Sequence, residues 1–213
     1  MVKLTVNDRK IEAKQGTTLL QACLDHDIYI PNLCHIKGMT YPTALCRMCF
    51  VEIEKAAKPV AACTVEVKAG MVVRTDTPTV RQLQRSGLRL LLSVHHVDCK
   101  NCPANKKCAL QQMAKFLKVG LKPKHLEQYL KEPELVSEHP LLDYYPNRCV
   151  LCGKCYYACR TRHGRSVMTF AKRGFDTVIS FFGEQDPSAL SCEECKACVD
   201  ICPVGALVMR NSG

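Results

Sequence analysis

Two copies of one cysteine run constrain this chain more than anything else in it. Cys149-Val150-Leu151-Cys152-Gly153-Lys154-Cys155 is followed four positions later by Cys159, and Cys192-Glu193-Glu194-Cys195-Lys196-Ala197-Cys198 is followed four positions later by Cys202. Each copy reads C-x2-C-x2-C-x3-C, so three thiols share a tight loop and a fourth lies just beyond it. Eight more cysteines lie upstream, making 16 in 213 residues that contain no Trp. The fold must give these thiols chemical partners.

Disulfides are the first candidate partners. The N-terminal residues lack a cationic stretch followed by an apolar core, and no apolar run is long enough to span a bilayer. The expectation is a soluble, cytoplasmic protein with no membrane span. A reducing cytoplasm disfavours a disulfide framework and leaves metal ligation.

The duplicated run selects the kind of metal site. Three closely spaced thiolates grip three corners of a cuboidal [4Fe–4S] cluster, and the fourth cysteine, on a following helix, ligates the other cluster. This crossover assigns Cys149, Cys152, Cys155 and Cys202 to one cluster and Cys192, Cys195, Cys198 and Cys159 to the other. Two four-cysteine zinc sites are the alternative, but zinc uses pairs of C-x2-C and has no need of a third cysteine three residues on. Pro203 follows the last cysteine as the bacterial pattern expects, whereas Arg160 stands after Cys159.

Two further donor sets lie upstream. Cys34, Cys46, Cys49 and Cys63 place three thiols on a long loop and one on a strand, close to the plant-type spacing that encloses a [2Fe–2S] rhombus, although the first gap is wider. Zinc is again the alternative. His95, Cys99, Cys102 and Cys108 offer one imidazole and three thiols at the end of a helix. Spacing alone suits either a zinc site or a [4Fe–4S] cluster, with His96 a rival ligand. Three neighbouring cluster sites favour the cluster. Cys23 is left over, and its place in an amphipathic helix makes it a small buried hydrophobe.

Hydrophobic periodicity supplies the scaffold. Residues 2–6 and the alternation at Ile11 and Ala13, joined by Asn7-Asp8, read as a hairpin. Thr18 and Gln21 resemble a capping box opening a helix over 19–26 that Pro31 forbids from continuing. Strands are expected at 50–53, 60–65 and 71–75. Beyond Pro78, Val80, Leu83, Leu88, Leu91, Leu92 and Val94 follow helical spacing, and a second helix is expected over 107–119. Residues 122–146 hold Pro123, Pro133, Pro140 and Pro146 and read as a connection with one short helix near 125–130. Between the two cysteine runs, 167–171 and 177–181 read as an inserted hairpin turning at Gly174. The expected organisation is α+β: a [2Fe–2S] domain over 1–78, a helical [4Fe–4S] domain over 79–119, a connecting segment over 120–146, and a two-[4Fe–4S] domain over 147–213.

The formal charge of +10 counts every cysteine as neutral. Oxidised all-cysteine clusters bring about −2 each and the cluster with one histidine about −1, so metallation leaves about +3. A nucleic-acid role is discounted accordingly. Lys154, Arg160, Arg162, Arg165, Lys172 and Arg173 read as a solvated basic face.

The order of motifs resembles, over almost the whole chain, the N-terminal iron–sulfur region of the large peripheral-arm subunit of respiratory complex I. That region recurs as the small diaphorase-type subunit of NAD(P)-linked hydrogenases, in formate dehydrogenases, and at the start of multi-cluster [FeFe]-hydrogenases. The residues carrying the resemblance are the four donor sets already named. It implies a β-grasp [2Fe–2S] domain, a helical cluster domain and a bacterial-type ferredoxin domain. No molybdopterin-type domain, hydrogenase motif or G-x-G-x-x-G loop is found, so no catalytic centre is expected and nicotinamide or flavin binding belongs elsewhere. The implied role is a relay between a flavin-bearing, NAD(P)H-binding diaphorase subunit and a catalytic hydrogenase or formate dehydrogenase subunit. A free multi-cluster ferredoxin, an iron–sulfur redox sensor and a zinc-stabilised binding module are the alternatives.

Overall fold

The computed structural model describes residues 1–182 and 192–210. The expected domain over 147–213 therefore reaches outside the described residues at 183–191 and 211–213. Two units divide the chain: Met1–Arg89 with Leu117–Val119, and Leu90–Phe116 with Gly120–Gly213.

In the first unit, β1 (Val2–Val6) pairs antiparallel with β2 (Arg9–Ala13) in the register Val2↔Ala13. Asn7 and Asp8 turn the hairpin at φ 48° and 67°, the left-handed backbone a two-residue turn of this hand needs. The alternation points Leu4, Val6, Ile11 and Ala13 inward. Against them lies α1 (Leu19–Leu24), which buries Leu19, Leu20, Ala22 and Cys23. Thr18 caps this helix by accepting the Gln21 N–H at 3.2 Å, but the Gln21 side chain donates to Asp25 instead of returning to Thr18. Only half of the capping box forms. β3 (Phe50–Ile53), β4 (Val60–Ala61) and β5 (Val72–Arg74) complete a five-stranded sheet in the order β2-β1-β5-β3-β4, with β1 and β5 parallel. The strand expected over 60–65 is cut short by a 3-10 turn, Ala62–Thr64, and this turn carries Cys63.

Helix α2 (Pro78–Ser93) begins in this unit, and two contacts hold its first part. Gln84, fully buried, donates to the Phe50 carbonyl at 3.1 Å. A Cβ on Gly87 would stand 3.0 Å from Met48 Sδ and 3.2 Å from the Arg47 carbonyl, so glycine allows the helix to approach the cysteine loop closely.

In the second unit, α3 (Ala109–Leu117) lies within the expected span 107–119. The connecting segment departs from expectation. It holds no helix near 125–130, where His125 takes φ 60°, and residues expected to be irregular form β6 (Val136–His139) and β7 (Leu142–Tyr144). These strands join β10 (Leu207–Met209) in a sheet ordered β10-β7-β6, with Leu207↔Tyr144 and Met209↔Leu142. Arg210 fastens the sheet by donating to Asp143 and to the carbonyls of Ser137 and His139. The inserted hairpin is β8 (Met168–Ala171) and β9 (Val178–Phe181), with Gly174 at φ 61° opening the turn between them. Before it in the chain comes α4 (Lys154–His163), and after it come α5 (Cys192–Cys195) and α6 (Ala197–Asp200).

Candidate metal centres

All sixteen cysteines are free thiols, and they fall into groups. In the first unit, Cys34, Cys46, Cys49 and Cys63 are all buried. Cys34 Sγ lies 3.4 Å from Cys46 Sγ, and the Leu33 N–H donates to Cys46 Sγ at 3.4 Å. The Cys46 thiol donates to Cys34 and brings it down to about 5, while the same contact and burial hold Cys46 protonated. Cys49 and Cys63 form a second pair of this kind, with Cys49 raised by Cys63 and by burial. Four buried sulfurs in this arrangement cannot all ionise unless a cation offsets them, a service that a bound metal would render. The loop takes left-handed backbone at Ala44 and Arg47, conformations that non-glycine residues adopt when their surroundings impose them.

In the second unit, burial raises the Cys108 thiol, backbone bonds with Gln111 and Leu110 oppose it, and the nearby sulfurs of Cys102 and Cys99 add to the rise. Cys102 Sγ also reaches the Val204 carbonyl at 3.7 Å. His95 lies two residues beyond α2, buried, whereas His96 is exposed and spends its N–H on the Asn147 carbonyl. Burial brings the His95 imidazole down to about 4, so the ring is neutral, and Arg148 and His96 are the charges acting on it. Its Nδ1 is buried with no hydrogen-bond partner among the described residues. A neutral, buried imidazole bonded to the Arg148 backbone but with Nδ1 unpaired suits a metal ligand and is costly for an ordinary core histidine. Burial, Arg148 and His96, and not the three sulfurs, set the state of this ring.

The duplicated runs regroup in space. Cys155 is acted on by Cys149, Cys152 and Cys202, and Cys198 by Cys159, Cys192 and Cys195. A cavity lined by Cys159, Cys192, Cys195 and Cys198 marks the second group. Burial pushes Cys149 up to about 11, and Cys152 and Cys198 up to about 12. Backbone donors meet the first group: Leu151 N–H to Cys149 Sγ at 3.4 Å and Ala206 N–H to Cys202 Sγ at 3.3 Å. Leu151 bends with φ 51° inside the run, as Lys196 does with φ 46° in the other.

Three side chains beside these sulfurs were not picked out by sequence reasoning. Tyr144, on β7, interacts with Cys149 while its hydroxyl accepts the Ile179 N–H at 3.1 Å. Lys131, buried, places its charge near Cys149. His163 Nε2 lies 3.2 Å from Cys195 Sγ. Only His163 left a signal: it follows Cys159 by four residues, one helical turn, on the same face. Cys23 stays apart, buried in the first core, with its thiol pushed up to about 12 by burial.

Fold and donor groups together define an iron–sulfur protein, and comparison with known proteins shows what it is similar to. Three family models match in sequence order: a 2Fe-2S iron–sulfur cluster binding domain over 1–78, the NADH-ubiquinone oxidoreductase-G iron–sulfur binding region over 84–121, and the ferredoxin-like domain of NADH-quinone oxidoreductase subunit 3 over 139–208. Among curated relatives, a G-type NADH-quinone oxidoreductase subunit of Rhizobium meliloti is 34% identical over 214 residues, covering 98% of this chain and 24% of its own length. The NADPH-Fe(3+) oxidoreductase subunit alpha of Geobacter sulfurreducens is 34% identical over 210 residues, covering 99% of this chain and 24% of its own length. A chain of an NAD+-reducing [NiFe]-hydrogenase, crystallised in its H2-reduced state, superposes with TM-score 0.85 at 26% identity over 100% of this chain and 88% of its own. Over almost its whole length the chain is similar to the iron–sulfur region of G-type NADH-quinone oxidoreductase subunits and their relatives. It spans about a quarter of the length of these two curated relatives. No helix among the described residues is long and apolar enough to cross a membrane.

Proposed function

We propose that this chain is an electron relay holding one [2Fe–2S] and three [4Fe–4S] clusters. The observation that carries the reading is the regrouping of the two cysteine runs, in which Cys202 lies with Cys149, Cys152 and Cys155, and Cys159 lies with Cys192, Cys195 and Cys198. Those eight would hold two [4Fe–4S] clusters. His95, Cys99, Cys102 and Cys108 would hold the third, and Cys34, Cys46, Cys49 and Cys63 the [2Fe–2S] cluster within a β-grasp domain, a reading supported by the order of its five strands. Zinc has no use for the third cysteine of each run, which favours multinuclear clusters over zinc. Bound clusters supply one-electron chemistry. The protein's own part is to fix their spacing and to set their potentials through hydrogen bonds, charge and burial.

The partners proposed are a flavin-bearing, NAD(P)H-binding diaphorase subunit and a catalytic hydrogenase or formate dehydrogenase subunit of a cytoplasmic complex. The likeness to a chain of an NAD+-reducing hydrogenase supports the first of these catalytic partners. Elemental analysis of anaerobically prepared protein is expected to give about fourteen irons per chain and no stoichiometric zinc. NAD(P)H is expected to reduce the clusters only when a copurifying flavoprotein is present. About two irons, or several equivalents of zinc, would defeat the cluster reading. Isolation as a lone monomer from gently lysed cells would defeat the relay.

A further inference from the structure

The two cysteine runs part company at the residue after the fourth cysteine. Pro203 follows Cys202, and Arg160 follows Cys159. Proline has no N–H to donate to the carbonyl four residues back, and its ring crowds that carbonyl, so a proline at 160 would stop the helix there. With arginine in place, α4 runs on from Lys154 to His163 and ends at Gly164, which takes the left-handed φ of 72°. The matching helix of the second run, α6, ends at Asp200, before its fourth cysteine.

The extra turn has cargo. It brings His163 onto the face of α4 that carries Cys159, and sets Nε2 3.2 Å from Cys195 Sγ, a sulfur of the other run. A metal-bound cysteine sulfur is a thiolate and can only accept, so the imidazole must donate from Nε2. The cavity around this contact is walled by Leu142, Val167, Met168 and Met209, with His139 and Lys196 also on its lining, and in such largely apolar surroundings a charge-assisted bond is stronger than in water.

Resting on the cluster reading above, we propose that His163 is a positioning residue whose N–H to Cys195 raises the potential of the cluster held by Cys159, Cys192, Cys195 and Cys198. A donor to a cluster sulfur withdraws charge and favours the reduced state. The Cys149 group draws on the backbone N–H of Leu151 and Ala206 and on the Tyr144 side chain. The Cys195 contact is a side chain, and substitution can tune that cluster without touching its ligands.

The test is a redox titration of the anaerobic holoprotein, followed by electron paramagnetic resonance. His163→Phe is expected to move one [4Fe–4S] midpoint downward with iron content unchanged, and His163→Gln, which keeps an N–H donor, to recover part of the shift. The moved signal is expected to be the one that Cys195→Ser perturbs. Should Phe prevent that cluster from assembling, His163→Asn, whose amide is too short to reach Cys195, replaces it with the same expected shift. Unmoved midpoints in variants that retain their iron would overturn the proposal, as would a shift in a signal untouched by Cys195→Ser. Failure of the cluster reading is distinct, because it appears in the metal content of the unaltered protein.

Discussion

Asn147 ties together three segments of the second unit, and Asn147→Ala should loosen the clusters on either side of it. The side chain is 4% exposed, accepts the Lys131 N–H at 2.7 Å and donates to the Lys131 carbonyl at 2.9 Å. Its own carbonyl accepts the His96 N–H at 2.7 Å. It thus clamps the connecting segment one residue from His95 and two residues from Cys149. Truncation leaves two backbone groups of the buried Lys131 without partners, at about 1–3 kcal/mol each. Water entering the vacated space recovers part of this, so about 2 kcal/mol is a fair lower figure, or about 30-fold in the ratio of opened to closed forms. Anaerobic holoprotein mixed with excess iron chelator reports that opening as loss of visible cluster absorption. A phase accounting for [4Fe–4S] clusters is expected to run about 30-fold faster in the variant. Asn147→Asp should do no better, because it loses the donor and buries a carboxylate against a carbonyl. A chelation rate within about twofold of the unaltered protein would show that the clamp carries no such energy.

Two further predictions address the ligands. His95→Cys replaces a neutral imidazole with a thiolate and should lower one [4Fe–4S] midpoint, leaving the others nearly unmoved, while His96→Ala, at an exposed ring, should move none. If His96→Ala moves that signal and His95→Cys does not, the assignment is wrong by one residue. Cys159→Ser should disturb the signal of the Cys192, Cys195 and Cys198 group, and Cys202→Ser that of the Cys149, Cys152 and Cys155 group. An experimental structure in which each run closes on its own cluster refutes the crossover.

What the sequence makes legible here follows from how local each cause is. The Asn7-Asp8 hairpin, the Thr18 cap and the spacing of the cysteine runs are set within a few residues, and all three can be read directly. β6 and β7 cannot, because Val136–His139 and Leu142–Tyr144 are short, polar and flanked by prolines; β7 becomes a strand by pairing with β10, more than sixty residues away, and β6 joins it by pairing with β7 through a shifted register. The helix expected near 125–130 fails for the opposite reason: a local pattern found no core to bury against, and Tyr129 spends its N–H on the Ser93 carbonyl. Gln84 on α2 looks like a surface residue until β3 presents the Phe50 carbonyl to it. The choice of His95 over His96 rested on spacing, and burial of one ring and exposure of the other supply the physical ground.

The exchange of fourth sulfurs between the two runs also sets a schedule. As the chain leaves the ribosome, Cys149, Cys152 and Cys155 emerge together, but the sulfur that joins them in the structure, Cys202, is still 47 residues from being made after Cys155. At about 5–20 residues per second that interval is roughly two to ten seconds. Cys159 waits almost as long for the loop of Cys192, Cys195 and Cys198. The second group is complete when translation reaches Cys198 and the first when it reaches Cys202, so both become complete at nearly the same moment. For those seconds the thiols are accessible to oxidant, to zinc and to whatever delivers iron, and the outcome depends on which arrives first.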